Sequence, residues 1–220
     1  MTVIALDLDG TLEDSRRDLI GVVQRHRRRL KLPACPDAIF RTHVIRGMDH
    51  LYDACFGEHL AGAGPRDARR EALRIAFEAD YAAHIIDTTR LYDGIADALP
   101  RLAAIGRLAV VTNKPEALSH QLLTALGVRH HFAAVIGGDS VAHEKPDPLP
   151  LAEAVKRCGG GPAIMIGDSP GDMLCGRAYG APTVWCAWGY YPEPPGHADR
   201  IAGHPIELAP AVLALQRLVD

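Results

Sequence analysis

From Leu91 onward the chain alternates short apolar runs with amphipathic stretches, and this rhythm limits its possible folds more than any other feature. "DGIADALPRLAAIG" has helical spacing, "RLAVVTN" reads as a buried strand, "PEALSHQLLTALG" as a helix, "FAAVIGG" as a strand and "PLPLAEAVKRCGG" as a helix. "AIMIGDS", "GDMLCGRAYG" and "PTVWCAW" continue as strand, helix and strand, and "IELAPAVLALQRLV" closes as a helix. Strands that are apolar along their whole length and joined through helices predict a parallel sheet covered on both faces. The N-terminal run "VIAL" belongs to the same sheet.

Between that run and Leu91 strand-like segments are scarce and the apolar spacing is helical. Ile20, Val23 and Leu30 share one helix face, and Ala72, Ile75, Ala76 and Ala79 share another. Ser15 suits the N-cap of the first helix and Pro65 the start of a later one; Asp14 and Ser15 fit a hinge equally well. The expected architecture is α/β, a Rossmann-like parallel-sheet core of residues 1–14 and 88–220, interrupted by an all-helical domain of residues 15–87. A chain of 220 residues, 48% hydrophobic, has room for one well-buried core and a second small domain.

A formal net charge of -3 supplies no general attraction for nucleic acid or an anionic membrane. The one basic run, "QRHRRRLK", places Arg25, Arg28 and Arg29 on a common helical face; it has no interleaved aromatics to stack on bases and reads as a solvated surface. Five cysteines without a C-x-x-C pair argue against a disulfide framework or a zinc ribbon, and the histidines, His130 and His131 included, have no metal-ligand spacing. With no signal sequence and no stretch of about 18 apolar residues, the expectation is a cytoplasmic protein, monomer or homodimer, with neither nucleic-acid nor membrane partners.

Ligands of open α/β sheets bind at the carboxyl ends of the strands. Asp7 and Asp9 follow the first strand, Thr112 and Asn113 follow "LAVV", Asp168 follows "AIMI", and Lys145 lies in the loop "EKPDP" after "FAAVIGGDS". Parallel alignment predicts that all of them share one rim. Asp7 and Asp9, two residues apart, are like charges that call for a cation, and with Asp168 they offer hard oxygen ligands for Mg²⁺. An aspartate can act as the nucleophile of phosphoryl transfer, Asp9 as general acid and base, and Lys145 and the Thr112 hydroxyl as partners of the non-bridging oxygens. Gly10 permits close backbone approach at the turn.

In this order, "DLDGTLEDS", "VVTNK", "EKPDP" and "GDSPGDM" resemble the four signature motifs of the haloacid dehalogenase superfamily, over nearly the whole chain. The resemblance implies that Asp7 is the nucleophile, Asp9 the acid/base, Thr112 the phosphate-binding hydroxyl beside Asn113, Lys145 the charge balancer, and Asp168 and Asp172 the acidic metal pair. The metal set is then Asp7, Asp9, Asp168 and Asp172 around Mg²⁺, and the helical insert corresponds to a C1-type cap. The dehalogenases proper lack the second aspartate and attack carbon, so Asp9 implies phosphate chemistry. "LYDGIADALPRLAAIGRLAVVTNK", "KPDPLPL" and "WGYYPE" are most similar to phosphoglycolate phosphatases. The implied activity is hydrolysis of a small phosphorylated metabolite, 2-phosphoglycolate first. The alternatives are a sugar phosphate, a nucleoside monophosphate, pyrophosphate, or a non-catalytic metabolite-binding role. In the insert, Arg46 and Gly47 of "VIRGMDH" are either substrate contacts, with the arginine suited to a carboxylate, or ordinary surface positions. Lys114 is open between a site residue and an exposed lysine.

Overall fold

The computed structural model describes residues 1–36, 39, 48–64, 66–191, 193–194 and 198–219. Along the chain the elements are β1 (Val3–Leu6), β2 (Glu13–Asp14), α1 (Arg16–Arg29), α2 (Met48–Phe56), α3 (Ala68–Ala83), β3 (Arg90–Leu91), α4 (Ile95–Ala103) and β4 (Arg107–Val111). Then come α5 (Glu116–Ala125), β5 (Phe132–Ile136), α6 (Leu149–Arg157), β6 (Ala163–Gly167), α7 (Pro170–Tyr179), β7 (Thr183–Cys186), β8 (Arg200–Ala202) and α8 (Leu208–Val219). They group into two compact units, Met1–Asp14 with Arg90–Asp220, and Ser15–Thr89.

In the first unit six strands form one parallel sheet in the order β5-β4-β1-β6-β7-β8, the α/β architecture that the alternation predicts. All four residues of β1 are fully buried, and Val3 aligns with Arg107 on one side and Ala163 on the other. Alternation puts Val3, Ala5, Ala109, Val111, Ala134, Ile136, Ala163 and Met165 in one cluster with Leu151, Ala154 and Cys158, so α6 closes that face. One alanine from each of these strands, Ala5, Ala109, Ala134 and Ala163, lets the helix lie close to the sheet. Two short features escape the pattern. β8 has three residues, too few for a period, and is fixed by its pairing with β7; β2 and β3 pair antiparallel, Glu13 opposite Leu91 and Asp14 opposite Arg90, where the chain leaves and re-enters this unit.

In the second unit the described residues hold α1, α2 and α3. The buried stripe of α1 is Asp18, Leu19, Val22, Val23, His26 and Arg27, rotated from the expected Ile20, Val23 and Leu30. On α3 the interior takes Leu73, Phe77 and Tyr81, whereas Ala72, Ile75, Ala76 and Ala79 face outward, Ile75 with 55% of its surface exposed. The reason is side-chain size, because an aromatic buries far more apolar area than an alanine. Phe77 meets Tyr52 and Phe56 edge-on, with ring centroids 5.4 and 6.3 Å away. The basic run is only partly solvated: Arg27 is buried on Glu58, and Arg25 and Arg29 converge on Asp80. Pro65 lies outside the described residues, and Asp67 caps α3 by accepting from the Arg69 N–H; Ser15 holds the N-cap position of α1 without a side-chain capping bond. Among the described residues no helix is long and apolar enough to cross a membrane.

Candidate active site

Asp7 directly follows β1, and its N–H still donates to the Ile166 carbonyl at 2.9 Å, so the central strand pairing fixes its backbone. The chain then turns tightly, with the N–H of Leu12 donating to the Leu8 carbonyl at 2.9 Å. Gly10 has φ +87°, and a Cβ there would lie 2.4 Å from an Asp168 carboxylate oxygen, so both the turn and the close approach require glycine. This turn separates the two like charges of the first motif. Asp7 faces Lys145, whereas the Asp9 carboxylate pairs with Lys114 Nζ at 2.8 Å. Lys114 is therefore buried against Asp9 rather than exposed.

Lys145 Nζ donates to Asp7 Oδ1 at 2.7 Å, to Asp172 Oδ1 at 2.5 Å and to the Val111 carbonyl at 2.8 Å. The Asn113 side chain holds the Lys145 peptide from both sides, its Oδ1 accepting from the N–H and its Nδ2 donating to the carbonyl, each at 3.0 Å. The end of β4 thus positions the lysine. Thr112, beside it and buried, accepts the Lys114 N–H at its hydroxyl at 3.2 Å.

Asp172 serves two structures at once. It completes a capping box with Ser169 at the start of α7, its Oδ2 accepting from the Ser169 N–H at 2.9 Å and hydroxyl at 2.7 Å, while Oδ1 meets Lys145. Asp168 is held by the Thr11 hydroxyl at 3.1 Å and by the Tyr190 N–H at 2.6 Å. Ligand atoms of Asp7, Asp168 and Asp172 all lie within 4.8 Å of one another.

Within this cluster three buried carboxylates face one ammonium. Burial, and then the neighbouring Asp172, push the Asp7 carboxyl up to about 7 against the opposing pull of Lys145. Burial and the charges of Asp7 and Asp172 hold Asp168 well above the carboxylate range. Burial alone would lower Lys145, but Asp172 and Asp7 raise it above its ordinary value, so it stays charged. The surplus negative charge on hard oxygen donors suits a divalent cation. Glu13 lies beside Asp9, fully buried; burial, the Asp9 charge and a side-chain hydrogen bond to Asp9 hold it well above the usual range.

Of the residues singled out from the sequence, Asp7, Lys145, Asp168 and Asp172 come together, Gly10 backs Asp168, and Thr112 and Asn113 flank the lysine loop. Asp9 stands apart on Lys114, outside the three-carboxylate group. Arg46 and Gly47 lie outside the described residues. Thr11, Glu13 and Tyr190 also join the site; Thr11, the hydroxyl next to Gly10 in the first motif, is readable from the sequence, whereas Glu13 and Tyr190 carry no local signal.

A family model described as haloacid dehalogenase-like hydrolase matches residues 4–186, the span that holds Asp7, Asp9, Thr112, Lys145, Asp168 and Asp172. The chain belongs to the haloacid dehalogenase-like hydrolases. This hydrolase is 37% identical over 190 residues to the phosphoglycolate phosphatase of Xanthomonas campestris pv. campestris, covering 85% of this chain and 83% of the relative. To the phosphoglycolate phosphatase of Caulobacter vibrioides it is 39% identical over 195 residues, with 87% and 81% covered. Among solved structures, a predicted phosphoglycolate phosphatase from Haemophilus somnus 129PT superimposes with a TM-score of 0.86 at 27% identity, covering 96% of this hydrolase and 98% of that chain.

Proposed function

We propose that this hydrolase is a Mg²⁺-dependent phosphatase that cleaves 2-phosphoglycolate through an aspartyl-phosphate on Asp7. The observation that carries the reading is the buried group of Asp7, Asp168 and Asp172 with Lys145, at the carboxyl ends of adjacent parallel strands. The named relatives support the substrate.

Asp7 and Asp168 would hold the ion, while Asp172, committed to Lys145 and Ser169, contributes chiefly charge. When bound, Mg²⁺ supplies charge neutralisation to a phosphate that would otherwise meet a surplus of carboxylates. The chain's own groups do the rest. Lys145 engages one oxygen of Asp7 and keeps its carboxylate oriented for attack on phosphorus. Asp9, turned away from that cluster, protonates the leaving alcohol and then takes a proton from the water that cleaves the acyl phosphate. Lys114 fixes the direction of the Asp9 carboxylate. The Thr112 hydroxyl is available to a non-bridging phosphate oxygen, since its described contact uses it only as an acceptor.

Phosphate release tests this directly. Purified protein with Mg²⁺ is offered 2-phosphoglycolate, sugar phosphates, nucleoside monophosphates and pyrophosphate, and wild type is compared with Asp7→Asn. The expected result is the highest kcat/KM on 2-phosphoglycolate, loss of turnover on chelation, and no turnover by a folded Asp7→Asn protein. Near-wild-type turnover by that variant would overturn the covalent step; a clear preference for another phosphate would replace the substrate.

A further inference from the structure

We infer that Cys35 and Cys55, both in the helical unit, are a thiol-redox modification site that closes reversibly to a disulfide. Their sulfurs lie 3.6 Å apart although the residues are 20 positions apart in the chain, and both are buried free thiols. Each is anchored to α1 by its backbone. The Cys35 N–H donates to Gln24 Oε1 at 3.0 Å and its carbonyl accepts from Gln24 Nε2 at 2.7 Å, while the Cys55 carbonyl, in the last turn of α2, accepts from the Arg27 guanidinium. These bonds hold the two sulfurs face to face, and the reaction needs no large rearrangement.

Access is one-sided. Among the described residues, a cavity of about 480 Å³ in the same unit is lined by Cys35, Arg27, Pro33 and Glu58 but not by Cys55, so a small oxidant reaches Cys35 first. Burial raises Cys55 and keeps it a thiol, the role of the resolving partner. With hydrogen peroxide as oxidant, the Cys35 sulfur attacks one peroxide oxygen and the O–O bond breaks, leaving a Cys35 sulfenic acid and water. The Cys55 sulfur then attacks the sulfenic sulfur, the S–O bond breaks, and the departing hydroxide takes the Cys55 proton as a second water. Two thiols are oxidised and one peroxide is reduced. A small-molecule dithiol reverses the bond by exchange.

The test uses the full chain, treated with a modest excess of hydrogen peroxide, quenched, and alkylated under denaturing conditions. In wild type the expected result is loss of two of the five alkylatable thiols, a mass decrease of two hydrogens, one cross-linked peptide joining Cys35 to Cys55, and full recovery with dithiothreitol. In Cys55→Ser a cyclic 1,3-dione should trap a sulfenic acid on Cys35, and in Cys35→Ser none should form on Cys55. Five alkylatable thiols after treatment of the wild type, or a cross-link between any other pair, would overturn the inference, and neither reading depends on a variant folding. A sulfenic acid trapped on Cys55 instead would overturn the assigned order of attack.

Discussion

Among the described residues Lys145 is the cation paired with Asp7 and Asp172, and its loss is expected to cost stability as well as activity. Lys145→Met leaves Asp7 and Asp172 facing each other without their shared cation, so urea unfolding without added metal should show a loss of about 3–5 kcal/mol. Asp7→Asn removes one of the like charges and should melt near wild type while being inactive, so the two variants separate charge balance from chemistry. Glu13 presents the opposite case, a buried carboxyl whose side-chain hydrogen bond is to another carboxylate, Asp9. Its folded-state value lies above its ordinary 4.5, so the native state binds the proton more tightly and loses stability as pH rises from about 4.5 toward that raised value. Glu13→Gln lacks this titration and should gain on wild type by about 1–3 kcal/mol at neutral pH. Thermal melts in steps between pH 4 and 8 check the sign; a gap that does not widen with pH would refute it.

Asp18 shows how one helix is secured to the end of its own unit. Its carboxylate, near the start of α1, accepts from the N–H and hydroxyl of both Thr88 and Thr89, the two hydroxyl contacts at 2.5 and 2.7 Å. Burial would raise its pKa, but these hydrogen bonds together hold it below its ordinary 3.8. The clasp therefore contributes fully above about pH 4 and is lost as pH falls through the depressed value. Asp18→Ala should cost about 2–4 kcal/mol at pH 7 and flatten the acid limb of the stability curve, as urea titrations between pH 2 and 7 would show. At this scale the sequence is legible where burial is continuous. "VIAL", "LAVV" and "AIMI" are apolar throughout and became β1, β4 and β6. It misleads where periodicity ignores size, as with Ala72, Ile75, Ala76 and Ala79 of α3 against Leu73, Phe77 and Tyr81. It is silent on β2, β3 and β8, whose two or three residues acquire structure only from a partner strand. The site divides in the same way. Motif spacing exposed Asp7, Lys145 and Asp168, but the burial of Lys114 on Asp9 and of Glu13 beside Asp9 depends on tertiary packing that no local pattern encodes.

For the molecule as a whole, the pairing of Asp14 with Arg90 means that the chain leaves the α/β unit and returns to it on neighbouring strands. Joining Asp14 to Arg90 through Asn-Gly should therefore close a two-residue hairpin and leave the six-stranded sheet intact. The shortened protein is expected to unfold cooperatively, retain its parallel-sheet circular dichroism and hydrolyse a small activated aryl phosphate, while losing at least tenfold in kcat/KM on 2-phosphoglycolate. A non-cooperative or unfolded product would show that the unit cannot stand without its insert. The central position of β1 also has a consequence in time. Its partners, Arg107–Val111 and Ala163–Gly167, follow it by roughly 100 and 160 residues, so β1 is made long before it can be enclosed. Until β6 is made, "VIAL" is an apolar ribbon with an unfilled edge, a binding site for any chaperone that recognises such segments. The carboxylates of Asp7 and Asp168 meet only when that wait is over, so the nascent chain carries no assembled cluster until synthesis is well advanced.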